Sequence, residues 1–501
     1  MRIMLLMEKA LLNNLSMKYF YIILFLTTQL LSGQETIADF DLNLKGFSPE
    51  GDAFSIVDNE QILLFFSQGK NIQTVLLDKN QSLVSKMSFT LPKRKFKNII
   101  GYNINGDDYH LYFSTKKKNE FCVVIVNLKN NFSSIKNIDL KLDSTFLDAY
   151  LRDGFLHILS LSDTSIINIH SFDKNLSFTK NSFEFSNHQF NIDSFSKTEH
   201  KLADFFLSPY GFGLSEKLEI IDNNVPNALE KTSSYNKIYH IDDEIIISID
   251  AYEGITKLIK LNIKTFESSI ETIKHISVSE DEGDVMKSNS LIFNDRLYQL
   301  SSTKKDFSFS YQDLKSNTRS KVVKLNVEDE IQFKNSPIIQ DGGYYSTRRE
   351  LSKTKQYLRK IADANPGISI NKQDNLNQIT LGASKELMHS NNVGLSMNNV
   401  GGGTVSGFSP VRGITYGHFM VPTLHSYGYY TSTKSTYINC LFDDGLKHIE
   451  DDVHENVFDK IRQYENDIDH NLKFKTIFKY NHAFILGCYS KGKYILKEFN
   501  P

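Results

Sequence analysis

Along most of the chain, short polar turns alternate with aliphatic and aromatic runs, and one arrangement keeps returning. A turn built from Asp, Asn or Gly is followed at once by a strand-like run. The copies are VDNEQILLFF around Asp58, INGDDYHLYF around Asp107, LRDGFLHILS around Asp153, HIDDEIIISI around Asp242, FNDRLYQLS around Asp295, QDGGYYST around Asp341 and YNHAFILGC around Asn481. These turn residues tolerate the left-handed backbone that tight turns require, and the β-branched and aromatic runs between them read as strands. A second polar turn and another strand follow several copies, as at Phe121 to Leu128, Ser165 to Ser171, Ile255 to Ile263 and Lys493 to Phe499.

The copies are 49, 46, 89, 53, 46 and 140 residues apart. Divided into units of about 45, the two long steps predict further copies near residues 198, 388 and 434. One four-stranded sheet cannot bury both of its faces, whereas sheets stacked around an axis can. The expected fold is therefore all-β and β-propeller-like, with seven or eight blades of four antiparallel strands. The stretch from Phe478 to Phe499 supplies about three strands, and Ile37 to Leu44 supplies one more that would complete a blade and close the ring.

The repeat fades over residues 344–475, which predicts an irregular insertion there. Gly, Asn, Ser, Tyr and His gather between Gly382 and Tyr430. Beyond them Val453, Val457, Phe458, Ile461, Tyr464 and Ile468 recur at steps of three and four, predicting an amphipathic helix with Asp452 and Glu455 as its capping box.

At the other end, Met17-Lys18, the apolar run Tyr19 to Leu26 and the small-residue stretch Leu31-Ser32-Gly33 make a secretory signal with Met17 as its start. Its tail, LLSGQ, resembles the bacterial lipoprotein signal, but Gln34 stands where the lipidated cysteine would be. The expectation is a signal peptide over residues 1–34, then one propeller-like domain over 35–501. That protein would be periplasmic or extracellular, soluble or surface-associated, with neither a lipid nor a transmembrane anchor.

Composition narrows the partners. With 57 basic and 59 acidic side chains and a net charge of −2, there is no polybasic field for nucleic acid. The three cysteines, Cys122, Cys440 and Cys488, each sit in an apolar run and read as small buried hydrophobes. The absence of tryptophan removes the signature of WD40 repeats and the Asp-box of sialidase-like propellers.

Chemical motifs are near misses. Gly402 to Ser409 has phosphate-loop spacing with Phe408 in place of the lysine, and Gly407 to Val411 lacks the second glycine of a nucleophile elbow. The run His448 to Glu455 is rich in carboxylates and imidazoles without metal-site spacing. The pairs Asp107-Asp108 and Asp242-Asp243 belong to the repeated turn, which explains them better than acid–base catalysis does. No catalytic residue, metal or cofactor is assigned. The best candidate for a binding surface is RGITYGHFMVPTLHSYGYY, which gathers Arg412, Tyr416, His418, His425, Tyr427, Tyr429 and Tyr430 outside the clean repeat.

These readings converge on an exported binding or interaction module for a glycan, peptide or protein ligand, using loops at a propeller face. The alternatives are an extracellular glycan- or peptide-active propeller enzyme and a passive envelope component.

Overall fold

A computed structural model describes residues 35–42, 44, 51–68, 71–91, 95–188, 190–191, 199–207, 218–252, 254–278, 286–341, 348–373, 375–385, 415–416, 422–428, 434–468 and 472–501. Seven sheets of four or five strands form a propeller-like fold. From inner to outer strand, blade 1 is Asp52–Asp58, Gln61–Gln68, Asn71–Leu77 and Leu83–Thr90. Blade 2 is Phe96–Asn105, Asp108–Thr115, Glu120–Asn127 and Phe132–Lys141. Blade 3 is Thr145–Arg152, Phe155–Leu161, Ile166–Phe172 and Phe178–Glu184. Blade 4 is Asn236–Ile241, Glu244–Tyr252, Ile255–Asn262 and Ser268–Lys274, and blade 5 is Lys287–Phe293, Arg296–Ser302, Asp306–Asp313 and Val323–Asn326.

Stacking explains the sequence pattern. Second strands such as Gln61–Gln68 are buried on both faces and are apolar almost throughout, whereas outer strands such as Leu83–Thr90 alternate with exposed positions. The repeated turn joins first and second strands in a two-residue connection with positive φ, at Asn59 and Glu60 (46° and 61°), Asp153 and Gly154 (51° and 78°), and Asn294 and Asp295 (48° and 59°). Gly, Asn and Asp adopt that backbone most readily and fill five of these six positions, Glu60 being the sixth, so the motif is a turn requirement.

Blade 7 closes the ring as expected. Lys473–Tyr480, Ala483–Ser490 and Lys493–Phe499 are completed by Thr36–Asp41, which pairs antiparallel with Lys493–Phe499. The join is apolar inside and charged outside: the Phe40 and Tyr494 rings lie 5.6 Å apart, and Lys493 Nζ is 2.6 Å from Asp39 Oδ2.

Blade 6 corrects the spacing argument. Its inner strands are Asn365–Gln373, Leu376–Lys385 and Lys434–Phe442, and the outer position is filled by Ile338–Asp341, which precedes them in sequence. The Asp341 copy is therefore not an inner turn, and the sixth inner turn lies between Gln373 and Leu376. Among the described residues no blade begins near residue 198. That long step holds an insertion, while Lys434 opens the third strand of blade 6 and residue 388 lies outside the described residues.

Helices also differ from expectation. Thr354–Ala362 is a second amphipathic helix, burying Tyr357, Leu358 and Ile361, with the Tyr357 hydroxyl donating to the Leu381 carbonyl at 2.9 Å. The later helix spans Val457–Ile468, so its cap is Asn456 rather than Asp452. Asn456 Oδ1 accepts from the Phe458 and Asp459 amides at 2.8 and 3.1 Å, and Asp459 Oδ2 accepts from the Asn456 amide at 3.3 Å. That reciprocal arrangement is a capping box one turn downstream of the predicted one. Among the described residues no helix is long and apolar enough to cross a membrane.

Candidate functional site

In every blade the inner strand starts at the same end of the propeller. Two insertions enter there. One connects Glu184 of blade 3 to Asn236 of blade 4, and the other connects Lys385 to Lys434 within blade 6, where these two residues pair across strands.

The first insertion runs along the inner edge of blade 4. Leu218–Ile221 pairs parallel with Asn236–Ile241, matching Leu218 to Asn236 and Ile221 to Tyr239. It then turns at Asp222, whose Oδ1 accepts the Asn224 amide at 2.9 Å. Lys479 donates to the Asn224 carbonyl, and Asn223 Nδ2 donates to the Ile292 carbonyl at 3.1 Å, fastening the turn to blades 7 and 5. The return leg passes through the short helix Leu229–Thr232. Gly367, in the inner strand of blade 6, makes room for it, since a Cβ there would lie 3.0 Å from Leu229 Cδ1 and 3.1 Å from the Leu229 carbonyl oxygen. Ile221 packs with blades 5 and 6, Val225 with blades 1, 2 and 7, and Leu218 and Ile220 with blades 3 and 4. One inserted hairpin thus joins three of the five hydrophobic core clusters from the axis.

The second insertion reaches the same axis. Thr415–Tyr416 pairs parallel with Asn98 and Ile99 on the inner edge of blade 2, and helix Pro422–Gly428 lies against the inner strand of blade 7. Leu424 and Tyr427 are buried in the core shared by blades 1, 2 and 7. The two insertions meet at Lys231, a buried lysine whose Nζ lies 3.1 Å from Ser426 Oγ and 3.4 Å from Asn227 Oδ1. The Glu230 carboxylate accepts from the Ser435 hydroxyl beside it.

Of the sequence-predicted surface, Tyr427 is placed in full. Its ring meets Phe458 edge-on at 5.5 Å, and its hydroxyl donates to Glu465 Oε2 at 2.7 Å. Burial, reinforced by the Glu465 carboxylate, pushes the Tyr427 phenol far up, so it remains a donor. For Tyr416 and His425 only the backbone is described, on the added strand and the helix respectively. Arg412, His418, Tyr429 and Tyr430 lie outside the described residues, as do Gly402 to Ser409 and Val411.

The densest polar network was not anticipated. Lys237 of blade 4 forms an ion pair with Asp250 at 3.0 Å with both side chains fully buried, and Lys237 also donates to Asn289 Oδ1 at 2.6 Å. Asp250 accepts from Thr256 at 2.6 Å and from Ser290 at 2.9 Å, and Thr256 Oγ1 lies 2.8 Å from His275 Nε2. Burial pushes His275 down to about 4, leaving a neutral imidazole at neutral pH. The Ser, His and Asp types resemble a hydrolase set, but none of these groups reaches solvent, so the network ties blade 4 to blade 5 rather than meeting a substrate. The readable signal was an ionisable residue ending the apolar run IIISID.

Between blades 3 and 4, His240 Nε2 lies 2.8 Å from Asp148 Oδ2, and the Tyr150 ring sits between His157 and His240 at 4.8 and 4.2 Å. At the insertion-bearing end, burial pushes the Asp52 carboxyl up to about 6. The carboxylate-rich run from His448 lines a shallow cleft of about 450 Å³ with Lys334 and Asn335. Among the described residues no cluster of His, Cys, Asp and Glu has the geometry to hold a metal. All three cysteines are buried and free.

No family model and no curated protein matches the chain. Among solved structures it is similar to a variant of Synechocystis apocarotenoid oxygenase, with 8% identity, a TM-score of 0.28 and coverage of 57% of this chain and 63% of that one. The cobalt-substituted form of the same protein gives 8% identity, a TM-score of 0.27 and coverage of 56% and 62%. Dihydro-heme d1 dehydrogenase NirN gives 10% identity, a TM-score of 0.25 and coverage of 53% and 45%. The chain spans less than two thirds of each of those proteins, and at such scores the likeness carries no argument about chemistry.

Proposed function

We infer that this protein is an exported binding module whose ligand surface is the insertion-bearing end of the propeller. The observation that carries this reading is that both insertions enter at one end, fill the axis and are joined there through Lys231. Propeller enzymes that work in an axial funnel need convergent titratable groups open to solvent, and the densest polar network, around Lys237 and Asp250, is sealed between blades 4 and 5. The segment from Arg412 to Tyr430, apart from the buried Tyr427, supplies the aromatic and basic side chains for a glycan or peptide ligand. The signal over residues 1–34 supplies the route to an extracellular or envelope ligand.

The test is binding of the purified chain to arrays of glycans and peptides and to isolated envelope polysaccharide, beside the variant Arg412→Ala/His418→Ala/Tyr430→Ala. A retained ligand whose affinity falls roughly tenfold or more in the variant, at unchanged thermal stability, supports the reading. Equal binding by the variant removes the surface, and chemical conversion of the ligand replaces the module with an enzyme.

A further inference from the structure

The opposite end of the propeller carries a different surface. There the first strand of each of blades 1–5 turns into the second and the third into the fourth. Among the described residues seven large apolar side chains stand exposed on this rim, all on blades 1–4: Leu83 and Val84, Phe132 and Ile135, Phe155 and Phe178, and Phe266. Their exposures run from 37% at Phe178 to 56% at Val84. Single exposed apolar residues are ordinary, but an arc confined to consecutive blades marks a surface that meets something.

The outer turns and strands of the arc are rich in lysine, while the first-to-second turns at the same end carry Asp58, Glu60, Asp107, Asp153 and Asp242. In blades 2 and 3 a lysine in the outer turn and a lysine in the outer strand bracket the apolar group, Lys129 and Lys136 and then Lys174 and Lys180; blade 1 contributes Lys79 from its outer turn, while its strand lysine, Lys86, donates to the Asp41 carbonyl at 2.9 Å. All six are exposed. Asp78 and Asp173, in the same turns, accept the backbone amides of Asn80 and Ser82 and of Asn175 and Ser177 at 2.9 Å, so these carboxylates are directed at their own turns. Lys129 meets Asp107 at 3.5 Å with both side chains well exposed, a pairing that solvent weakens. In blade 4 Phe266 projects from the equivalent turn beside Lys264, which pairs with Asp243 at 2.9 Å.

We propose that this rim docks the protein on an anionic phospholipid bilayer, with the apolar arc entering the headgroup boundary and the bracketing lysines meeting lipid phosphates. Interfacial binding combines buried apolar area with the electrostatic attraction of lysines to an anionic surface. Such docking is peripheral and reversible, needs no covalent anchor, and leaves the insertion-bearing end facing away from the membrane.

The experiment is co-sedimentation of the full chain, and beside it the chain from Glu35 that retains every described residue, with phosphatidylethanolamine–phosphatidylglycerol vesicles and with phosphatidylcholine vesicles. The expected result is binding to the anionic vesicles at low salt that weakens at high salt. Partition should fall roughly tenfold in Val84→Ser/Phe132→Ser/Phe178→Ser and in Lys79→Gln/Lys129→Gln/Lys174→Gln, and stay unchanged in Ile468→Ser, an exposed apolar site off the arc. The substituted residues are exposed, and thermal unfolding confirms that each variant is folded. Absence of binding by the chain from Glu35, equal binding to both vesicle types, or an Ile468→Ser loss as large as the arc variant overturns the proposal. So does an arc-dependent dimer in light scattering, which would make the occupant a second copy.

Discussion

Lys237 Nζ lies 3.0 Å from Asp250 Oδ2 at the seam of blades 4 and 5, and neither side chain exposes any surface. Removing two charges from water is costly, and this site compensates with hydrogen bonds from Thr256 and Ser290 to Asp250 and from Lys237 to Asn289. Asn289 in turn donates to the carbonyls of Ser233 and Pro366 at 3.0 and 2.6 Å, joining the end of the first insertion to blade 6. Asp250→Ala strands a buried ammonium and is expected to destabilise by about 3–5 kcal/mol, as is Lys237→Ala by stranding the carboxylate. In the double variant the loss should be well below the sum of the two, and a double-mutant cycle by chemical denaturation measures the difference.

The inserted hairpin makes its own prediction through Gly367. A methyl group there meets the Leu229 carbonyl, which cannot move without shifting the helix Leu229–Thr232. Gly367→Ala should cost about 1–3 kcal/mol, and Gly367→Val should loosen the insertion further. Limited proteolysis should then cut at Asp222 to Val225 in the valine variant faster than in the natural chain. Equal cutting rates would mean that the blades do not hold the hairpin in this way.

How much of this was legible in the sequence depended on how local its cause was. The turns at Asp58, Asp107, Asp153, Asp242, Asp295 and Asn481 could be read because two-residue connections restrict their residues to those tolerating positive φ. The turn after Gln373 was hidden because blade 6 takes its outer strand from the preceding segment, Ile338–Asp341, and the helix Thr354–Ala362 intervenes. Aromatic character at Tyr427 suggested a surface, but its burial is set by contact with Phe458, on a helix outside that segment. The pairing of Leu218–Ile221 with Asn236–Ile241 follows no local pattern, and neither does the meeting of Lys231 with Ser426. The helix at Val457 was legible by period, while its start was misplaced because Asp452 and Glu455 copy the capping pattern that Asn456 and Asp459 fulfil.

Acid should act first on the seam histidines. Burial holds His275 at about 4, below its ordinary 6.5, and His157 is likewise held at about 4 by burial and by the nearby Arg152 charge. Between those values the unfolded chain binds protons that the folded chain refuses. The stability contributed by neutral histidine is therefore complete above about 6.5 and is lost as pH falls toward 4. Fully buried His275 accounts for about 1.4 kcal/mol per pH unit within that window. Denaturation between pH 7 and 4 should show this slope, and His275→Gln should flatten it.

Asp52 has the opposite sign and bears on the proposed ligand end. Burial raises its carboxyl to about 6 from 3.8, so between those values the folded chain holds a proton that the unfolded chain releases. Its contribution is favourable in acid and is lost as pH rises through about 6, leaving a buried carboxylate at neutral pH. Asp52→Asn removes that charge and should stabilise the protein by about 1–2 kcal/mol at pH 7, with little difference from the natural chain at pH 4. Denaturation at the two pH values checks both halves. Asp52 opens the inner strand of blade 1 at the end where the insertions enter. A gain in stability on its removal would mark a carboxylate kept against the interest of the fold, as functional groups commonly are. The same variant should then weaken ligand binding at pH 7. If it stabilises the fold and binds ligand as before, Asp52 lies outside the recognition surface.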